Sequence, residues 1–251
     1  MAQSSAAAVG SPFLDDLAHA RYRRVIGKLI WTIQERPDIA QVVAACSRAV
    51  QAPTDNDMIK LKRIVRYLAG TMNYRLHLRM NDDDSFDRVD VITDASWARG
   101  PDRRSVSGIL LVYRGIVFGA WSRVQKVKAH SSCEAEIMAA HQGVVEAKLL
   151  THLLPEQFEV QRPADMKTNI MIHFSVDSTS TVGFTARRGP GALKHIDLKY
   201  LSLQDDVREG LLRVSHVRTD VLLADYLTKP TCEYKLAQFC QAVLRQIAQT
   251  V

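Results

Sequence analysis

With 251 residues, 47% of them hydrophobic and 24% charged, the chain suits one large or two small soluble domains with packed cores. Its four cysteines (Cys46, Cys133, Cys232, Cys240) form no CxxC pair, and no histidine sits near two of them at metal-site spacing, which argues against a cysteine-bound metal and for reduced thiols. The formal net charge of +6 permits a polyanionic partner such as nucleic acid without requiring one.

The opening MAQSSAAAVGSPF has no basic n-region and no long apolar stretch, so it does not read as a secretory signal. Residues 1–14 are expected to be a disordered N-terminus. From Asp15 the pattern turns helical. Val25, Leu29, Ile30 and Ile33 recur at three- and four-residue steps, Pro37 interrupts, and Ile39 to Val50 reads as a second helix. Asp55 to Leu68 reads as a third, with Met58, Leu61, Ile64, Val65 and Leu68 on one face and Gly70 as its stop. Residues 15–80 are thus expected to form a helical segment. The acidic run Asn81–Asp87 is its expected boundary with a second domain.

Beyond that run the period changes. Val89–Thr93, Val106–Tyr113 and Ile116–Ser122 read as three strands, the last two flanking the turn signal Arg114-Gly115. Ser132 to Leu154 reads as a long helix capped by Ser131 or Ser132. Ile170–Val176 and Leu211–Val217 read as strands. Thr179–Ala186, Leu198–Arg208, Val221–Leu227 and Glu233–Ala248 read as helices. The order β-β-β-α-β-α-α-β-α implies an α/β class domain over 88–230: a five-stranded mixed sheet flanked by helices. Residues 231–251 then form a C-terminal helix. No window approaches the roughly 20 apolar residues of a membrane span, so no membrane partner is expected.

Four acids stand at the ends of these elements: Asp94 at the first strand, Glu136 in the first turns of the long helix, Asp177 after the fourth strand, and Asp225 after the fifth. Carboxylates converging at one sheet edge need a cation, and Mg²⁺ prefers oxygen ligands. Two such ions about 4 Å apart stabilise both oxygens of a phosphodiester displacement. Glu134 competes with Glu136, since the two lie about 200° apart on a helix and only one can face such a site. Glu136 shares its stripe with the small residues Ala140, Gly143 and Ala147. Glu134 shares its stripe with Met138, Val145 and Leu149, which could equally be the core face.

An ordered series of motifs then resembles one family. Ile92-Thr93-Asp94-Ala95-Ser96-Trp97-Ala98, Asp102-Arg103-Arg104-Ser105-Val106-Ser107-Gly108, Ser131-Ser132-Cys133-Glu134-Ala135-Glu136, Asp177-Ser178-Thr179-Ser180, Lys194-His195-Ile196-Asp197 and Leu223-Ala224-Asp225-Tyr226-Leu227-Thr228-Lys229-Pro230 occur in turn. They resemble SDADWA, D-x-R-[KR]-S-T-S-G, S-x-x-E-A-E, DNQSA, KHID and LADILTKP of the ribonuclease H region of copia-type retrotransposon Pol polyproteins. Upstream, Tyr22–Gly27, Arg36–Ala40 and Arg63–Thr71 resemble the end of the reverse transcriptase region, so the likeness runs from Tyr22 to Pro230.

The resemblance implies an RNase H-like fold and an endonuclease that cuts the RNA strand of RNA–DNA hybrids with two Mg²⁺ ions, or Mn²⁺. Asp94, Glu136, Asp177 and Asp225 match its metal-binding carboxylates, and this motif match selects Glu136 over Glu134. It also implies reverse transcriptase and integrase parts of a polyprotein as partners, and a cytoplasmic, nuclear or virus-like-particle location rather than secretion. Two departures stand out: Ser96 replaces the second acid of SDAD, and Ser178 replaces the Asn of DNQSA. They keep open an alternative, a catalytically inactive nucleic-acid-binding remnant. A third reading, a scaffold docking onto a polymerase, would rest on residues 20–70.

Arg103, Arg104 and Lys126 beside the strands, and Arg187, Arg188, Lys194 and Lys199 around Gly189-Pro190-Gly191, are the candidate phosphate contacts. His195 is a candidate proton shuttle, with a structural hydrogen bond as the other reading. Trp97 and Trp121 read as stacking surfaces or as buried packing. No Tyr-x-Asp-Asp segment occurs, so no polymerase site is expected. The chain reads as the tail of a larger polyprotein, starting at its own Met1.

Overall fold

The computed structural model describes residues 11–76, 78, 88–100, 102–157, 170–230 and 232–246. Most of the expected disordered start and all of Asn81–Asp87 lie outside them. The chain divides into two compact units, Met1–Arg75 with Gln246–Val251, and Leu76–Arg245.

The first unit is built on α1 (Asp16–Thr32), a 3₁₀ turn (Pro37–Ile39), α2 (Ala40–Ser47) and α3 (Asp55–Gly70). Asp15 caps α1 by accepting the Ala18 N–H at 2.7 Å, and Thr54 and Asp57 form a reciprocal capping box on α3. The apolar stripes meet in a core of Tyr22, Ile26, Leu29, Ile39, Val43, Cys46, Leu61 and Ile64. Arg36 and Asp38 are buried as a pair, Nη2 to Oδ2 at 2.7 Å. The Tyr67 hydroxyl donates to Asp38 at 2.6 Å, and Arg36 donates to the Thr71 carbonyl at 3.0 Å. Pairing plus hydrogen bonds is what makes a buried charge tolerable. Two short strands missed in the sequence, β1 (Tyr74–Leu76) and β7 (Leu244–Gln246), pair with each other.

The second unit holds β2 (Arg88–Ser96), β3 (Val106–Tyr113), β4 (Ile116–Val124), α4 (Ser132–Gln157), β5 (Met171–Val176), α5 (Thr179–Ala186), a 3₁₀ turn with α6 (Ser202–Arg208), β6 (Leu212–His216), a 3₁₀ turn (Leu223–Leu227) and α7 (Glu233–Val243). The sheet order is β4-β3-β2-β5-β6. β2, β3 and β4 pair antiparallel; β5 and β6 are added in parallel. This is the expected five-stranded mixed sheet flanked by helices. Three expected α-helices of this unit are shorter or tighter: Leu198–Leu201, the start of the expected Leu198–Arg208 helix, and Leu223–Leu227 are 3₁₀ turns, and the last helix stops at Val243 where β7 begins.

Alternation along β2 sends Val89, Val91 and Thr93 toward α4, and Asp90, Ile92, Asp94 and Ser96 to the other face. α4 can sit close because Ala140, Gly143 and Ala147 line its contact. A Cβ on Gly143 would stand 2.9 Å from Val91 Cγ1 and Thr93 Cγ2. The core between them takes in Ile109, Leu111, Ile137, Phe174 and Phe184. On the other face, His173 links Asp90 Oδ1 (2.9 Å) and Ser215 Oγ (2.7 Å), because the register sets residue 173 opposite 90. The Leu223–Leu227 turn also packs there, over Gly108: a Cβ at 108 would meet the Ala224 carbonyl at 2.6 Å.

Candidate active site

Asp94 lies near the end of β2, opposite Gly108, and is 6% exposed. The Thr228 hydroxyl donates to its Oδ2. Burial raises its pKa, with Asp225 and Asp177 adding repulsion while Thr228 and Lys229 oppose.

Glu136 enters from the first turns of α4, whose start is capped by Ser131 Oγ accepting the Glu134 N–H at 3.1 Å. Its Oε1 accepts the Ala95 N–H at 3.2 Å, and its Oε2 is buried without a hydrogen-bond partner. Burial, then the charge of Asp94, pushes its pKa to about 9. Glu134 and Glu136 are both buried, and each stripe of α4 contributes to the core, Met138 on the one and Ala140 and Ala147 on the other. It is Glu136 whose carboxylate lies with those of Asp94 and Asp177, while Glu134 bonds the His130 N–H and His195.

Asp177 comes directly after β5 and is half-buried. Its Oδ2 accepts from the Thr219 hydroxyl at 2.7 Å, and its carbonyl is bonded by His216 Nε2 at 3.0 Å. Asp94, Glu136 and Asp177 each offer an oxygen within 4.8 Å of the others. Three converging carboxylates with one buried oxygen lacking a donor fit a hard divalent cation, which takes oxygen ligands.

Asp225 is near but stands apart from this trio. It is 1% exposed in the Leu223–Leu227 turn, Lys229 pairs with its Oδ1, and Lys235 meets its Oδ2 at 2.5 Å. Burial alone would raise its pKa, but the two lysines hold it below the usual carboxylate range. Thr228, Lys229, Lys235 and Thr219 are site residues that sequence reasoning missed. Thr228 and Lys229 lie inside a motif read for its aspartate, while Lys235 and Thr219 carry no signal.

His195 is engaged by Glu134. Its Nε2 lies 3.2 Å from Glu134 Oε2, and its ring meets that of His130 edge-on at 4.7 Å between centroids. Glu134 Oε2 also accepts the His130 N–H at 2.7 Å. His195 thus makes a hydrogen bond to Glu134 and lies outside the carboxylate trio. Of the candidate phosphate contacts, all are exposed. Lys199 is paired with Asp197 at 2.8 Å, Arg104 lies 3.9 Å from Asp102, and Arg187 donates to the Pro190 carbonyl at 2.8 Å. Trp97 is 47% exposed, with its indole N–H bonded to the Ala129 carbonyl at 3.1 Å. Trp121 packs against the core, with Arg123 over its ring. Among the described residues no helix is long and apolar enough to cross a membrane.

No family model matches the chain. It is 32% identical over 227 residues to the retrovirus-related Pol polyprotein from transposon RE1 of Arabidopsis thaliana, covering 88% of this chain and 15% of that protein. To the corresponding polyprotein from transposon TNT 1-94 of Nicotiana tabacum it is 29% identical, over 85% of this chain and 15% of that one. The chain thus spans about 15% of the length of these curated relatives. Among solved structures, LC11-RNase H1 isolated from compost aligns with 57% of this chain and 94% of its own, at 14% identity and a TM-score of 0.39.

Proposed function

Because the chain belongs to the family of retrovirus-related transposon Pol polyproteins, we propose that its sheet unit is a copia-type ribonuclease H that hydrolyses the RNA strand of RNA–DNA hybrids. The observation that carries this reading is the trio Asp94, Glu136 and Asp177, with a buried Glu136 oxygen aimed where no protein donor meets it. The carboxylates would hold Mg²⁺, or Mn²⁺ in its place. The bound ion supplies charge stabilisation to the attacking and leaving oxygens of the phosphodiester. The two-ion form of that scheme asks Asp225 to help hold a second ion.

The chain's own residues have separable tasks. Thr228 fixes the Asp94 carboxylate, the Ala95 N–H fixes Glu136, and Thr219 fixes Asp177. Arg103, Lys126, Arg188 and Lys194 are exposed cations suited to phosphates. Residues 15–80 are assigned to the end of the reverse transcriptase region, 88–230 to the nuclease domain, and 231–251 to the C-terminal helical segment that carries α7. Partners of the polyprotein, and a cytoplasmic, nuclear or particle-borne setting, belong to the same proposal.

Ser96 favours a second reading, an inactive remnant that still binds hybrid. It is 6% exposed on the same strand face as Asp94, where the resembled motif has an acid. A labelled RNA–DNA hybrid incubated with the chain and Mg²⁺ decides between them. Cleavage that EDTA abolishes supports the nuclease. Binding without cleavage in Mg²⁺ and in Mn²⁺ supports the remnant.

A further inference from the structure

Asp225 is the most buried of the four acids, and a carboxylate at 1% exposure demands compensating charge. It receives that charge from this chain: Lys235 donates a hydrogen bond to Oδ2, and the Lys229 ammonium pairs with Oδ1, a buried oxygen without a hydrogen-bond donor of its own. Lys235 comes from the first turn of α7, beyond the last of the resembled motifs. Its placement is fixed by packing. Phe239, one turn further along α7, is 1% exposed and stacks on Tyr226 at 4.5 Å between centroids, so the helix is seated on the turn that carries Asp225. The other three acids form a cation-sized group that does not include Asp225.

Resting on the nuclease reading, we propose that Lys235 and Lys229 lock Asp225 as an ion-paired carboxylate. The free chain then holds one divalent ion, on Asp94, Glu136 and Asp177, and a second position at Asp225 opens only when Lys235 lets go. α7 is in this account a control element on the site. The lock explains how a buried fourth acid is stable in the free chain, since a lysine ammonium there supplies the charge that an ion would.

The test is titration of the full chain with Mn²⁺ alone, without nucleic acid, read by calorimetry and by the paramagnetic signal of free Mn²⁺. The wild type is expected to bind one ion, and Lys235→Met to bind two. Lys235→Arg, which keeps the charge, should return to one. Adding Asp225→Asn to Lys235→Met should also return to one, which ties the second ion to Asp225. Circular dichroism confirms that each variant is folded. Two ions in the wild type, or one ion in Lys235→Met while Asp94→Asn binds none, overturns the lock and leaves the metal-dependent reading standing. No bound Mn²⁺ in any variant overturns both.

Discussion

Glu136 is lifted from 4.5 to about 9 by burial first and then by the repulsion of Asp94 and Asp177, against the opposing bond from Ala95 and the charge of Lys229. A raised acid keeps its proton in the folded chain over a range where the unfolded chain has lost it. Without a divalent ion, the stability this group contributes is full below 4.5 and is lost as pH rises toward about 9. Asp94 is raised too and acts in the same sense. Asp225 is lowered, so its contribution is present above its ordinary pKa and is lost only in acid. Thermal unfolding of the metal-free chain should therefore fall in midpoint as pH rises through this window, and Glu136→Gln should flatten that fall. Metal binding must expel the Glu136 proton, so the midpoint gain from Mg²⁺ should grow toward alkaline pH in the wild type and vanish in the Gln variant. A gain independent of pH would show that Glu136 is not a ligand.

The elements place these residues through two close approaches that only glycine permits, Gly143 of α4 against β2 and Gly108 under the Leu223–Leu227 turn. At Gly108 a Cβ would lie 2.6 Å from the Ala224 carbonyl and 2.7 Å from Thr228 Cγ2, so the turn carrying Asp225 and Thr228 would have to move. Gly108→Ala should cost about 1–3 kcal/mol in urea unfolding and lower hybrid cleavage together with it. Gly183→Ala is the control. Nothing lies within 4 Å of a Cβ there, and its place in α5 means alanine should gain up to about 1 kcal/mol with cleavage unchanged.

At this same scale the sequence was legible where periodicity and capping act locally. The five strands of a mixed sheet, the long helix capped by Ser131 or Ser132, and the helix Thr179–Ala186 derive from alternation and from end signals. The strand order β4-β3-β2-β5-β6 is set by long-range pairing that no local pattern encodes. Helix geometry left Glu134 and Glu136 open, because both stripes of α4 contain residues that suit a core, and it was the resembled motif that selected Glu136. Leu223–Leu227 tightened into a 3₁₀ turn because it must seat over Gly108, which no local signal encodes. Lys235 was invisible because its role comes from a long-range ion pair on a helix whose own pattern is ordinary. His195 read as a proton shuttle or as a structural hydrogen-bonding residue, and its ring lies against Glu134 and His130.

For the whole molecule, the excess of +6 is modest, so hybrid affinity should rest on a few placed cations. Replacing Arg187, Arg188 and Lys194 together by Ala should weaken hybrid binding and flatten its salt slope, by roughly 0.7–0.9 in log–log terms for each phosphate that is no longer neutralised. Arg187 is already bonded to the Pro190 carbonyl, so Arg188 and Lys194 should supply most of the change. An unchanged slope would assign this loop to plain solvated surface.

In the proposed nuclease the carboxylate trio performs chemistry while surface cations perform binding, and Asp177→Asn separates the two. Asp177 is half-buried at the rim and held by Thr219, so its amide replacement fits the same space. The measurement is cleavage and equilibrium binding of one labelled RNA–DNA hybrid, with Mg²⁺, by wild type and by Asp177→Asn at the same moderate salt. The account predicts cleavage by the wild type, its loss by several kcal/mol of transition-state stabilisation in the variant, and nearly equal binding by both. Cleavage that survives in Asp177→Asn, or binding that disappears along with it, would contradict the account.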